Sequence, residues 1–165
     1  MYERGRLNNH ANEQQVMNPD VLDLELLIRK PPASVRAWWT DYPDDYHAKD
    51  PLEQPYRILT TRHLSNSREV RTYWKMPDGT AIDILEILNL KPDGTWTYEV
   101  PSPNRLGIHV LDEFRPESTP EGTRLLIHST LTPKDAAAAN NVSRLKRTMI
   151  QGWKQAAEIC ERDAP

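Results

Sequence analysis

The chain is expected to fold as one α+β domain, an antiparallel sheet packed against a long C-terminal helix. Three observations carry that expectation. A strand-like run near the N-terminus is followed by six more between Tyr56 and Leu131. Three of the joints, MPDGT, KPDGT and TPEGT, place Gly79, Gly94 and Gly122 after Pro-Asp or Pro-Glu, which suits a type I turn followed by a residue at positive φ and hence antiparallel neighbours. Helical periodicity over a long stretch appears only after the strands, from Val142 onward. With 165 residues there is chain enough for one substantial core and too little for two.

Residues 1–18 are rich in Asn, Gln and charge without sustained periodicity, so a flexible N-terminal arm is expected there and the domain proper over 19–165. From Val21 to Arg29, VLDLELLIR alternates with Leu22, Leu24, Leu26 and Ile28 on one face, the pattern of a strand buried on one side. Pro31-Pro32 end it and open a helix, because a proline in the first turn loses no intrahelical hydrogen bond; Val35, Trp38, Trp39 and Tyr42 then share a stripe. The polar, proline-broken PDDYHAKDPLEQP predicts a loop or one more helical turn.

The six runs that follow are YRILTTRHLS, REVRTYWKM, TAIDILEILNL, TWTYEV, RLGIHVLDEF and TRLLIHSTL. The 14 prolines fall largely between these runs and read as punctuation, since proline fixes φ and donates no backbone hydrogen bond. The closing helix is expected to start at Thr132-Pro133-Lys134-Asp135, with Thr132 as cap, and Asn140-Asn141 are placed to end a first piece and cap a second. Val142, Leu145, Met149, Trp153, Ala156 and Cys160 share the face that turns inward.

Composition excludes several roles. A net charge of −3 with both signs scattered leaves no basic stripe, so nucleic acid is not an expected partner. Neither a run of 18 apolar residues nor an apolar signal core occurs, so no membrane span is expected and a cytoplasmic location is. Cys160 is the sole cysteine and is assigned a packing role. The five histidines lack ligand spacing, and glycine-rich phosphate loops and nucleophile motifs are absent, so neither a metal nor a cofactor is expected and no residue is assigned a catalytic role. His109 and His128 fall on the phase expected to face solvent.

Three segments carry a resemblance to a known family. LELLIRKPPASVRAWWTDY resembles a strand leading into a proline-started helix with a buried tryptophan, PEGTRLLIHSTL a Gly-Thr entry to a last strand, and SRLKRTMIQGWKQAAEI, with Gly152-Trp153, a terminal helix. Together, over about Val21 to Asp163, they resemble the START and Bet v 1-like (SRPBCC) helix-grip superfamily, which includes polyketide cyclases, lipid-transfer domains and Hsp90-activator homologues. The resemblance implies a curved seven-stranded sheet wrapped around the terminal helix, two short helices after the first strand, and a cavity between sheet and helix.

Strand alternation then suggests what lines that cavity: Trp39, Trp74, Ile84, Glu86, Tyr98, Ile108, Val110, Ile127, Met149 and Trp153 are the candidate ligand-binding residues. Glu86 stands out, because a carboxylate on an apolar strand face must be paired or protonated. Arg62 is one candidate partner; otherwise Glu86 is a ligand anchor or acid/base group, or a rim charge turned outward by a bulge. Asp112 shares the inward phase, nearer the end of its strand. The expectation is therefore binding or transport of a hydrophobic small molecule or lipid, ahead of catalysis. A cyclase or dehydratase using the same cavity and an Hsp90-activator-like interaction protein are the alternatives; a protein partner, and monomer or dimer, stay open.

Overall fold

The computed structural model describes the backbone of residues 17–41, 56–75 and 81–165, and the side chains of these except 56–63, 72–75 and 81–83. Residues 1–16 of the expected arm, the second short helix after the first, and the turn at Gly79 lie outside the described residues.

β1 (Asp20–Ile28) buries Leu22, Leu26 and Ile28 and exposes Asp23, Glu25 and Leu27, following the alternation of the sequence. α1 (Pro32–Thr40) begins at the expected proline and buries Val35 and Trp39. β2 (Tyr56–His63), β3 (Ser67–Lys75), β4 (Ala81–Leu90), β5 (Trp96–Val100), β6 (Ile108–Thr119) and β7 (Gly122–Pro133) follow, then α2 (Ala136–Ala139) and α3 (Val142–Asp163). The seven strands among the described residues form one curved antiparallel sheet in the order β1-β7-β6-β5-β4-β3-β2. Every chain-adjacent pair from β2 to β7 is therefore a hydrogen-bonded neighbour, and the first strand closes against the last.

Two of the three expected glycine turns lie among the described residues. Gly94 adopts φ 90 between β4 and β5, where Gly94 N–H donates to the Lys91 carbonyl at 3.2 Å and Lys91 N–H to the Thr95 carbonyl at 3.0 Å. Gly122 adopts φ 138 at the start of β7, and a Cβ there would lie 2.3 Å from the Ile28 carbonyl oxygen. The last rung of β1 on β7, Ile28 opposite Thr123, requires this close approach.

Several boundaries differ from expectation for local reasons. Proline is not only punctuation: Pro116 lies inside β6, opposite Leu125. Pairing of β5 with β6 ends at Trp96 opposite Phe114, so Pro116 stands where β6 has lost one neighbour and no hydrogen bond is demanded on that side. The same loss of constraint lets β6 continue to Thr119, and its start moves from Arg105 to Ile108 because Gly107, at φ 66, terminates the preceding turn. Thr132 does not cap the closing helix, since β7 runs on to Pro133. Asp135 caps α2 instead, accepting from Ala138 N–H at 2.8 Å. Asn140 and Asn141 do separate two helices, although the Asn141 side chain makes no cap hydrogen bond.

α3 leans chiefly on β1, with α1 beside it. Its C-terminal end is fastened to the end of β1: the Glu161 carboxylate accepts from Arg29 N–H at 3.1 Å, and Lys30 Nζ donates to the Ala164 carbonyl. The apolar face expected from the sequence is present and wider, for Ala157 and Ile159 are buried with Val142 and Cys160. The enclosed side chains form two clusters. One gathers Leu26, Val35, Trp39, Trp96, Phe114, Ile127 and Cys160; the other gathers Leu22, Ile108, Val110, Leu131 and Val142, and Trp153 packs against both.

Candidate functional site

The inward faces of β4 to β7 are largely apolar, and three of their polar residues, Glu86, Asp112 and Ser129, fall on adjacent rungs. Leu88, Tyr98, Asp112 and Ser129 are successive partners across β4, β5, β6 and β7. Glu86 occupies the next position on the same phase of β4, opposite Val70 of β3. Alternation along the strands thus aims both carboxyls, from two strands separated by β5, at the space beneath α3.

Removal from water dominates the chemistry of this pair. Burial among apolar side chains, reinforced by the nearby Asp112 charge, pushes the Glu86 carboxyl up to about 7. Burial likewise pushes Asp112 up to about 7, against the opposing effect of the Ser129 hydroxyl, which donates to Asp112 Oδ1 at 2.5 Å. Near neutral pH the two groups therefore hold protons that an exposed pair would have released, and each is able to donate as well as accept. No basic side chain among the described residues contributes to either shift. Arg62 stands opposite Glu69, a rung away from the row that carries Val70 and Glu86, and its side chain lies outside the described residues.

Beside the acids sits an aromatic group centred on Phe114. Trp96 stacks on it at 5.2 Å with an interplanar angle of 3°, Tyr98 meets it edge-on at 5.3 Å, and Trp39 and Trp153 approach at 6.0 Å. The Tyr98 hydroxyl donates to the Trp39 carbonyl at 2.6 Å, tying α1 to β5. The candidates thus separate into two kinds. Ile84, Ile108, Val110 and Ile127 are packed to 4 % exposure or less and form the floor, whereas Glu86, Tyr98, Met149 and Trp153 retain accessible surface. Trp39 is buried behind the Tyr98 hydrogen bond. Trp74 of β3 is aligned with Ile82 of β4, and its side chain lies outside the described residues.

Sequence reasoning singled out Glu86 and undervalued Asp112, Ser129 and Phe114. A signal was present: two acids on the inward phase of nearly adjacent apolar strands. What was missing was the register that sets Ser129 beside Asp112. The histidines His109 and His128 lie on the outer face as expected, each against a carboxylate, with His109 Nε2 2.8 Å from Glu99 and His128 Nδ1 2.7 Å from Asp23. A separate depression of about 690 Å³ involves Asp23, Glu25, Lys91, Glu113, Arg115 and His128; neither acid of the inner pair lines it. Among the described residues no helix is long and apolar enough to cross a membrane.

Neither a family profile nor a curated protein matches the chain. Solved structures do. The di-domain ARO/CYC StfQ from the steffimycin biosynthetic pathway superposes with a TM-score of 0.74 at 15 % identity, over 89 % of this chain and 51 % of its own. The Zhui aromatase/cyclase from Streptomyces sp. R1128 gives 0.67 at 14 % identity, over 88 % of this chain and 95 % of its own. TTHA0849 from Thermus thermophilus gives 0.63 at 13 % identity, over 87 % and 95 %. The chain spans about half the length of the two di-domain ARO/CYC proteins StfQ and BexL, and nearly all of the single-unit ones. With its seven-stranded antiparallel sheet closed against one long C-terminal helix, the chain has the helix-grip fold that these solved structures share.

Proposed function

We propose that the chain binds a hydrophobic small molecule or lipid on the inner face of the sheet, beneath α3, with Glu86 and Asp112 meeting its polar part. The observation that carries this reading is the pair of carboxyls set on an otherwise apolar face, with accessible surface retained at Glu86, Tyr98, Met149 and Trp153. Among the described residues neither acid has a basic partner, and acids held away from water in that way destabilise a fold unless something else, such as ligand contact, offsets the cost. The surface retained at Glu86, Tyr98, Met149 and Trp153, away from β1 on which α3 chiefly leans, is the part of the inner face to which this reading assigns the ligand. Native mass spectrometry of the purified chain, compared with its denatured mass, tests the reading. A retained small molecule supports it and supplies the chemical class. No adduct, together with no thermal shift across a panel of fatty acids, sterols and polycyclic phenols, rejects it.

A second reading, a polyketide cyclase or dehydratase-like enzyme, is favoured by two carboxyls near 7, the range suited to moving protons at neutral pH. The names of StfQ and Zhui, proteins of the same fold, point the same way. In this reading Glu86 and Asp112 shuttle protons while the aromatic floor orders a reactive chain. Glu86→Gln is then expected to slow ring formation from a synthetic linear polyketone thioester by about 100-fold or more, on the usual scale of acid/base catalysis. Unchanged turnover in that variant removes the reading.

A further inference from the structure

We infer that the ligand carries a cationic, amine-type group that sits between Glu86 and Asp112, with its apolar body against Tyr98 and Trp153. This rests on the binding role proposed above and narrows it to a chemical class.

Three features of the inner face converge on a cation. The first is the pair itself. Glu86 and Asp112 project from the same face of β4 and β6, and only Ser129 among the described residues hydrogen-bonds to either of them. Glu86 has no hydrogen-bond partner among the described residues. Ser129 supplies one donor, while two ionised carboxylates have acceptor capacity for several more. An ammonium brings three donors and a full positive charge, and so satisfies both acids at once. A neutral carbonyl ligand accepts a hydrogen bond from one protonated acid and leaves the other without a partner, and an anion is repelled by either acid once it ionises.

The second feature is the aromatic wall. Tyr98 follows Asp112 in the same cross-strand row and meets Phe114 at 5.3 Å, and Trp153 descends from α3 onto Phe114 at 6.0 Å. Aromatic faces beside desolvated carboxylates attract cations by their quadrupoles and repel anions. The third is the placement of the basic residues on the surrounding elements. Lys146 of α3 is held at 3.0 Å by Asp20, Arg124 of β7 by Glu117, and Arg36 of α1 by the Lys91 carbonyl at 3.0 Å. Arg68 of β3, on the inward phase beside Leu88, is held by the Leu64 and Ser67 carbonyls at 3.0 Å. Among the described residues none of these cations hydrogen-bonds to the pair, and a cationic ligand supplies that charge.

Three probes with one ring system decide the matter: 1-naphthylmethylamine, 1-naphthalenemethanol and 1-naphthoate, titrated calorimetrically into the full chain at pH 7. The amine is expected to bind at least about tenfold more tightly than the alcohol, a gap of about 1.4 kcal/mol, and the carboxylate most weakly. In the double variant Glu86→Gln with Asp112→Asn, the amine is expected to fall to the affinity of the alcohol. An alcohol that binds as well as the amine, or an amine preference that survives the double substitution, overturns the cationic ligand and leaves the binding role standing. No heat with any of the three overturns both. The ranking on the unsubstituted chain decides the question even if the double variant does not fold.

Discussion

At the scale of single residues, Glu86 and Asp112 make folding depend on pH in an unusual direction. Their carboxyls stand near 7 in the folded chain and in the ordinary acidic range when unfolded. Between about pH 5 and 7 the folded chain therefore holds protons that the unfolded chain has released, and stability falls as pH rises through that window. Urea denaturation is expected to show a loss on the order of 2 kcal/mol between pH 5 and 8, and Glu86→Gln with Asp112→Asn to flatten it. A profile rising monotonically to pH 8 in the unsubstituted chain contradicts the burial of the pair. Phe114 is the other decisive residue, since four aromatic rings contact it. Phe114→Ala is expected to cost about 3–5 kcal/mol in the same assay, the usual cost of an unfilled aromatic site, and Phe114→Leu distinctly less.

At the scale of elements, the joints are where single changes act through backbone geometry. Gly122 has no room for a side chain beside the Ile28 carbonyl and holds a φ of 138. Gly122→Ala is therefore expected to cost roughly 2–3 kcal/mol by forcing β7 away from the end of β1. Gly152 presents the opposite case. It lies within α3 with open space around its missing Cβ, so Gly152→Ala is expected to stabilise the chain by about 0.5–1 kcal/mol and to raise its melting temperature by a few degrees. A drop in melting temperature would mean that the space is filled. Asp135→Ala is expected to cost about 1 kcal/mol through loss of the bond to Ala138 N–H.

At the scale of the whole molecule, stability is expected to be graded across the sheet. β6 and β7 are the longest strands, β7 paired on both sides over most of its length and β6 from Val110 to Phe114, while β2 is an edge strand of the sheet among the described residues. Amide hydrogen exchange is expected to be slowest at the paired rungs from Val110–Leu131 to Phe114–Ile127 and fastest in β2. Uniform exchange across β2 and β6 would show that the sheet opens only as one unit. The closing of β1 on β7 joins residues about a hundred positions apart, so truncation of β1 removes Leu22, Leu26 and Ile28 from both clusters and leaves α3 without its principal support.

The α+β class, the strand count, the proline-started α1, the turns at Gly94 and Gly122 and the inward faces were legible in the sequence, because hydrophobic period and turn chemistry are local properties carried by a few neighbouring residues. The inward position of Glu86 followed from the same alternation. Register was not legible: nothing within β6 or β7 alone announces that Asp112 meets Ser129, that Phe114 collects four rings, or that Pro116 occupies a rung where β5 has ended. Nor does the helical period of α3 reveal that Glu161 reaches the end of β1. Those are relations between distant segments, settled only when pairing partners and the lean of α3 are chosen together, and they decide which polar groups lose water and so which become chemically unusual.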